Sequence, residues 1–393
     1  MSRKGVGILT KRQQIMELYY IRAIAAFGIF TIHATGGFAL YSTFNSRAMQ
    51  LGTFLNPFFR FGTPVFMMIS GFVLFYNYRT PEEFNPRKFY KKKATYLIIP
   101  YILWSIGYFL FSAYMYDIPI TSDSLILLSK NILLGNGFSH LYFIFLIVQF
   151  YLIFPLLIRY LSKSMMNRPF IIFVLVTIVQ GIILIYEFYF KISSNTGLIK
   201  FINTYYWKTI LGWFYYFITG GLIAYHYEKV VKFIEEKIRL IVFIYFISVV
   251  LFLGEVYINI YQTKGMDYFE RYGSIRPMNM IYGLTTILVL IYITRRIKDR
   301  ESFGIKIFKS FGTYSLGVYF AHPMMLEYLK IRLMSIFPAH ISYERVSSEI
   351  LILILAWILT IGLCYFISLF KSSWMLIGRV PSIIEKEKVR SNN

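Results

Sequence analysis

The stretch "IRAIAAFGIFTIHA", residues 21–34, is almost wholly apolar, yet it holds Arg22 and His33. A helix turns about 100° per residue, so the step between them brings His33 to within about 20° of Arg22, roughly 16 Å further along the axis. Arginine is a fixed cation suited to orienting anionic groups. Imidazole titrates near neutrality and is suited to taking a proton from a hydroxyl. One helix face thus carries a candidate anion-orienting group at one end and a candidate general base at the other. Each also has a purely structural reading: Arg22 snorkels to the interface and His33 hydrogen-bonds a neighbouring helix. Snorkelling alone gives no reason for the two to be aligned.

Four further stretches carry groups that could join this pair. "RFGTPVFMMISGFVLF" (60–75) opens with Arg60 and contains Ser70 and Gly71. "SHLYFIFLIVQFYLIFPLL" (139–157) places His140 at the start of an apolar run. "FYKKKATYLIIPY" (89–101) brings Lys92 and Lys93 to the head of another, and "GTYSLGVYFAHPMML" (312–326) buries His322 beside Pro323. Arg60 or His140 could stabilise a developing oxyanion, while Arg22, Lys92 and Lys93 would orient an anionic donor. Structural alternatives stand beside these readings. Arg60 would mark an interface, His140 would be an interfacial ring, His322-Pro323 a kink, and Ser70-Gly71 a close helix contact. Glu17 is either a charge matched to a helix N-terminus or a further cavity-lining group, with Ser70 and His322. The five histidines, at 33, 140, 226, 322 and 340, show no ligand spacing, so no metal is expected.

The elements that must position these residues follow from composition. The 393 residues are 57% hydrophobic and 15% charged, with a mean hydropathy of +0.57, against about a quarter charged in soluble domains. Repeated apolar runs predict an all-α polytopic membrane protein of about ten spans. These are placed at 15–40, 57–77, 94–116, 140–160, 169–190, 207–227, 239–260, 277–294, 308–328 and 349–371.

With the N-terminus inside, the cytoplasmic segments hold 28 of the 41 Lys and Arg and the external loops 11, span-edge residues counted with the adjoining loop. Basic residues accumulate in short cytoplasmic loops, so both termini are expected in the cytoplasm and the +22 net charge faces anionic lipid rather than nucleic acid. This gives a basic N-terminus 1–14, an integral domain 15–371 and a cytoplasmic tail 372–393, in the plasma membrane. "MSRKGVGILTKRQQ" precedes no small-residue cleavage site, so the first span is expected to remain. The single cysteine, Cys364, excludes an intramolecular disulfide and reads as a packing residue.

Taken together, these segments resemble the membrane acyltransferase-3 family, whose first helix carries Arg or Lys, ten residues and His, as in Arg22 to His33. "FMMISGFVLF" is similar to its Ser-Gly-Phe second helix. "HLYFIFLIVQFYLIFPLL" is similar to its His-Leu-Trp-Phe segment with Tyr142 in place of Trp, and "GTYSLGVYFAHPMML" to its Ser-Leu-Gly-x-Tyr-x-x-His-Pro segment. The family commonly has arginines where this chain has Lys91, Lys92 and Lys93, and lysine lacks arginine's planar fork. "ELYYIRA" resembles the branch of intercellular-adhesin modification proteins of exopolysaccharide operons.

The resemblance implies O-acylation of an envelope polysaccharide or lipid-linked glycan, with cytosolic acetyl- or succinyl-CoA as cosubstrate and no tightly bound cofactor. His33 would be general base, and membrane lipids or a polysaccharide synthase complex would be partners. No Ser-His-Asp or Cys-His set is legible, so direct transfer is the simpler expectation. A transporter or flippase exporting a polysaccharide or lipid-linked sugar is the competing class, because intramembrane charges mark transport paths as readily as catalysis. The lack of an internal repeat speaks against it.

Overall fold

The computed structural model describes residues 15–190, 197–263, 273–300 and 302–380, so the segment 1–14 and the end of the tail, 381–393, lie outside the described residues. All elements among those residues are helical. The chain begins with α1 (Glu17–Tyr41). Then α2 (Arg47–Phe58) and α3 (Gly62–Asn77) join through the 3-10 turn Phe59–Phe61. Next, α4 (Pro86–Lys93) continues through a π-turn, Ala94–Ile98, into α5 (Ile99–Met115). They are followed by α6 (Ser122–Leu134), α7 (Tyr142–Asn167), α8 (Pro169–Ile185), α9 (Gly197–Tyr205) and α10 (Ile210–Tyr225). The last are α11 (Tyr227–Thr263), α12 (Pro277–Ile297), α13 (Phe303–Thr313), α14 (Ser315–Ile336), α15 (Val346–Ser368) and the single turn α16 (Trp374–Ile377).

Among the described residues, eight helical stretches are long and apolar enough to cross a membrane. At the sixth and ninth expected spans stand α10, of 16 residues, and α14, whose second half carries Glu327, Lys330 and Arg332. The helices run past the apolar windows wherever a cap or polar turn lies outside them. The second span starts at Arg47 rather than near 57, because the Ser46 side chain accepts from Met49 N. The expected ninth span, 308–328, is two helices that break at Tyr314.

The helices differ in how deeply they sit in the bundle. In the most apolar stretch of α1, 67% of residues are buried, against 11% in the stretch Pro169–Phe190, so α1 runs through the interior and α8 along the rim. Small residues let backbones approach in lipid, where no hydrophobic force drives helices together. A Cβ on Gly71 of α3 would fall on the Phe217 carbonyl of α10, and one on Gly220 of α10 would fall on the Met68 carbonyl of α3. Cys364 is buried and packs with Tyr314, Val318 and Ile377.

Candidate active site

The residue of interest on α1 is His33, and two imidazoles from distant helices meet it. His322 of α14 lies 5.1 Å away, centroid to centroid, and His140, just before α7, 6.1 Å away; His140 and His322 are 5.4 Å apart. His140 and His322 are fully enclosed, at 2% and 1% exposed, whereas His33 is only half-buried. His33 is therefore the member of the cluster that a bound molecule can reach.

The local sequence explains how His322 is held. Pro323 has no N–H, which leaves the Tyr319 carbonyl, four residues back, without its helical partner. The His322 Nδ1 fills that place, 2.9 Å from the Tyr319 oxygen and 2.9 Å from that of Val318. Carbonyls only accept, so Nδ1 carries the proton and Nε2 is the bare, basic nitrogen. Nε2 is buried and has no hydrogen-bond partner among the described residues. At the same kink the Tyr108 hydroxyl donates to the Phe320 carbonyl (2.7 Å) and accepts from Met324 N (3.2 Å), bridging the opened turn. The His-Pro pair is thus both a kink and a device that fixes an imidazole.

A second set of polar groups is tied to the α1 backbone at Ile32 and His33. Arg60 donates through Nε and Nη2 to Asn56 Oδ1, at 3.0 and 2.7 Å, and Asn56 Nδ2 donates to the Ile32 carbonyl at 2.7 Å. Its guanidinium lies within electrostatic range of His33 and of Tyr142. Lys330, 7% exposed, donates to the His33 carbonyl at 3.3 Å. Sequence reasoning missed Asn56 and Lys330. The only signal available was a lysine two turns past His322 on a helix that was expected to end at 328. Tyr142, in the place of the family's Trp, packs edge-on against Trp207 at 4.9 Å.

The remaining basic residues meet at the opposite, lysine-rich end. Arg22, Ser70, Lys92, Lys93 and Tyr96 line a cavity of about 240 Å³ together with Tyr151 and Tyr319. The Lys93 ammonium sits 3.9 Å from the centroid of the Tyr151 ring, and the Ser70 hydroxyl bonds back to the Phe66 carbonyl. The π-turn directly after Lys93 widens the helix on this cavity wall, a distortion found often at functional sites. Tyr319 joins the two regions. Its ring lies 5.0 Å from that of His140, and its hydroxyl donates to the His140 carbonyl.

Glu17 is placed elsewhere. Its carboxylate is buried and takes Arg295 at 3.3 Å and Lys298 at 3.2 Å, on the wall of a separate cavity of about 590 Å³. Among the described residues no group of three His, Cys, Asp or Glu is arranged to hold a metal ion, the three imidazoles included.

What this arrangement offers is a cationic pocket, an aromatic divider and an accessible imidazole packed against two others. Residues 17–369 match a family model described as an acyltransferase domain. A relative from Staphylococcus epidermidis is 24% identical over 386 residues, covering 96% of this chain and 98% of its own. One from Staphylococcus aureus strain MRSA252 is 23% identical over 323 residues, covering 80% and 83%. Both are named probable poly-beta-1,6-N-acetyl-D-glucosamine export proteins. No solved structure matches this chain. The match runs through every segment that builds the site, and the chain is a multi-pass membrane protein belonging to the acyltransferase-3 family.

Proposed function

We propose that this protein moves an acyl group, acetyl or succinyl, from cytosolic acyl-CoA to a hydroxyl of an envelope polysaccharide. The observation that carries this reading is the continuity from the pocket of Arg22, Lys92 and Lys93, through Tyr319, to the three-histidine cluster. In this reading both termini and the lysine-rich end face the cytosol. The CoA phosphates bind there and the pantetheine arm spans the roughly 16 Å from Arg22 to His33. His33 takes the proton from the acceptor hydroxyl as its oxygen attacks the thioester carbonyl. Arg60 offsets the negative charge on the tetrahedral oxygen. The carbon–sulfur bond then breaks, and the imidazolium returns the proton to the departing thiolate. His322, held through Nδ1 by the Val318 and Tyr319 carbonyls, packs its ring 5.1 Å from that of His33 and so limits how the His33 ring can turn.

The export reading has one specific observation in its favour, the names of the staphylococcal relatives. Membrane vesicles supplied with radiolabelled acetyl- or succinyl-CoA separate the two. Label on the polysaccharide supports acyl transfer. Polymer crossing the membrane with no label from either donor supports export.

Two substitutions probe the parts. Arg22→Ala removes a charge-assisted phosphate contact worth about 1.5–3 kcal/mol. The KM for acyl-CoA is expected to rise on the order of 10- to 100-fold, with the acceptor KM unchanged in two-substrate kinetics. Pro323→Ala supplies an N–H to the Tyr319 carbonyl and so competes with His322 Nδ1. Losing one orienting hydrogen bond, about 1.4 kcal/mol, corresponds to a roughly tenfold lower transfer rate. The melting temperature is expected to be unchanged or higher, because the helix regains a bond.

A further inference from the structure

The mouth of the bundle beyond His33, at the end away from the lysines, has chemistry that neither the donor pocket nor the histidine cluster uses. Gly36 and Gly37 follow His33 by three and four residues, on the same helix face. A Cβ on Gly37 would lie 2.9 Å from the Tyr343 ring and 3.4 Å from Lys330 Nζ, and one on Gly36 would lie 3.6 Å from Asn56 Nδ2. The two glycines keep clear a floor between Asn56 and Lys330, next to the imidazole.

Above that floor three tyrosines converge. Tyr343 packs against Phe38 and Tyr41, each at 5.2 Å. The loop carrying it is tied down where Thr43 N and Oγ1 donate to Glu344 at 2.7 and 2.9 Å, and where Ser42 donates to the Tyr343 carbonyl. Tyr116, just past α5, donates its hydroxyl to Glu327 Oε1 at 2.5 Å. That bond holds the phenol up at about 12, so it stays a neutral donor. Glu327 stands one turn before Lys330 on α14, and the Lys330 ammonium lies in the field of Glu327 and Glu349. Both Glu349 carboxylate oxygens are buried and have no hydrogen-bond partner among the described residues. An interfacial aromatic belt is spread around a bundle with its polar tips toward headgroups. Here the rings are gathered at one mouth, and one hydroxyl is committed to a carboxylate inside it.

We infer that this mouth is the acceptor subsite, binding a neutral glycan segment. Tyr41, Tyr116 and Tyr343 stack on pyranose faces, Glu327 accepts a sugar hydroxyl, and Lys330 acts as a positioning residue that sets the reacting hydroxyl against His33. Aromatic rings supply large rigid contact area at low entropic cost, which suits a sugar with one apolar face. Tyr41 and Tyr116, 68% and 53% exposed, remain available for stacking. The inference rests on the acyl-transfer reading for what happens at His33, but glycan binding at this mouth can be measured without it.

The test uses the full-length protein in lipid nanodiscs with a β-1,6-linked N-acetylglucosamine pentamer as probe, because the relatives' names carry that polymer. Calorimetry is expected to show binding that weakens about tenfold in each of Tyr41→Ala, Tyr116→Ala and Glu327→Gln. In kinetics the acceptor KM is expected to rise while the donor KM holds. Gly37→Ala is expected to weaken binding as well, by displacing the Tyr343 ring. A pentamer that does not bind the wild-type protein, or binds all four variants equally well, overturns the subsite. Binding that depends on these residues, with no acyl transfer by the wild type, upholds the subsite and removes the acyltransferase reading instead.

Discussion

His33→Ala is expected to lower acyl transfer on the order of 10²- to 10⁴-fold, the range for loss of a positioned general base. The protein should remain folded and still bind acyl-CoA, because the donor pocket is lined by Arg22, Lys92, Lys93 and Tyr319 and not by His33. Three observations put the largest effect at this position. His33 is the half-buried member of the cluster, its ring meets both other imidazoles, and Lys330 and the Arg60–Asn56 pair bond to its own carbonyl and that of Ile32. Initial rates with labelled donor, beside calorimetric donor binding on the same preparation, check it. Full transfer by His33→Ala would overturn the general-base role, because the other two imidazoles of the cluster are enclosed.

The largest effect on stability is expected at the crossing of α3 and α10. At Gly71 and Gly220 an added Cβ meets a backbone carbonyl of the facing helix, which cannot swing aside as a side chain can. Overpacking typically costs about 1–3 kcal/mol, occasionally more. Because two backbones must separate here, Gly71→Val and Gly220→Val are each expected to reach or exceed that upper figure. Loss of the monodisperse peak in detergent size-exclusion chromatography, or a melting temperature lowered by many degrees, reads the effect. Gly181→Ala is the control: nothing lies within 4 Å of its Cβ position. It should leave the protein unchanged or stabilise it by roughly 0.5–1 kcal/mol, since glycine is costly inside a helix. Equal behaviour of Gly220→Val and Gly181→Ala would mean that the crossing is looser than its geometry.

Much of the catalytic proposal was legible from local rules. Helix periodicity puts Arg22 and His33 on one face. The Ser-Gly pair was readable as a close contact, and Gly71 stands at one. The His322-Pro323 pair has a local consequence too, since proline frees a carbonyl that the preceding side chain can reach. Harder to see was where each helix ends. Hydropathy reports the apolar middle of a span, while the ends are decided by caps such as Ser46 and by polar turns that are still helical. Lys330 was invisible for that reason: it stood past the expected end of its span, in what read as an external loop. Asn56 was equally silent, being an ordinary polar residue until its amide joins Arg60 to the Ile32 carbonyl.

The amino-acid sequence by itself determined that the chain is a bundle of membrane helices and which side chains could do chemistry there. Both depend on patterns within about 20 residues: apolar runs long enough to span lipid, and a 3.6-residue period that assigns each residue to a face. Tertiary structure alone decided that His140 and His322 share a cluster with His33, that Tyr319 joins this cluster to the basic pocket, and that Lys330, 297 residues from His33, reaches its carbonyl. It also placed Glu17 with Arg295 and Lys298, away from Arg22. The physical reason is the way helices choose neighbours in lipid. Hydrophobicity is satisfied equally by every partner, so selection falls to small-residue crossings such as Gly71 with Gly220, and to polar groups that must find one another. Those pairings join residues far apart along the chain, and no local period encodes them.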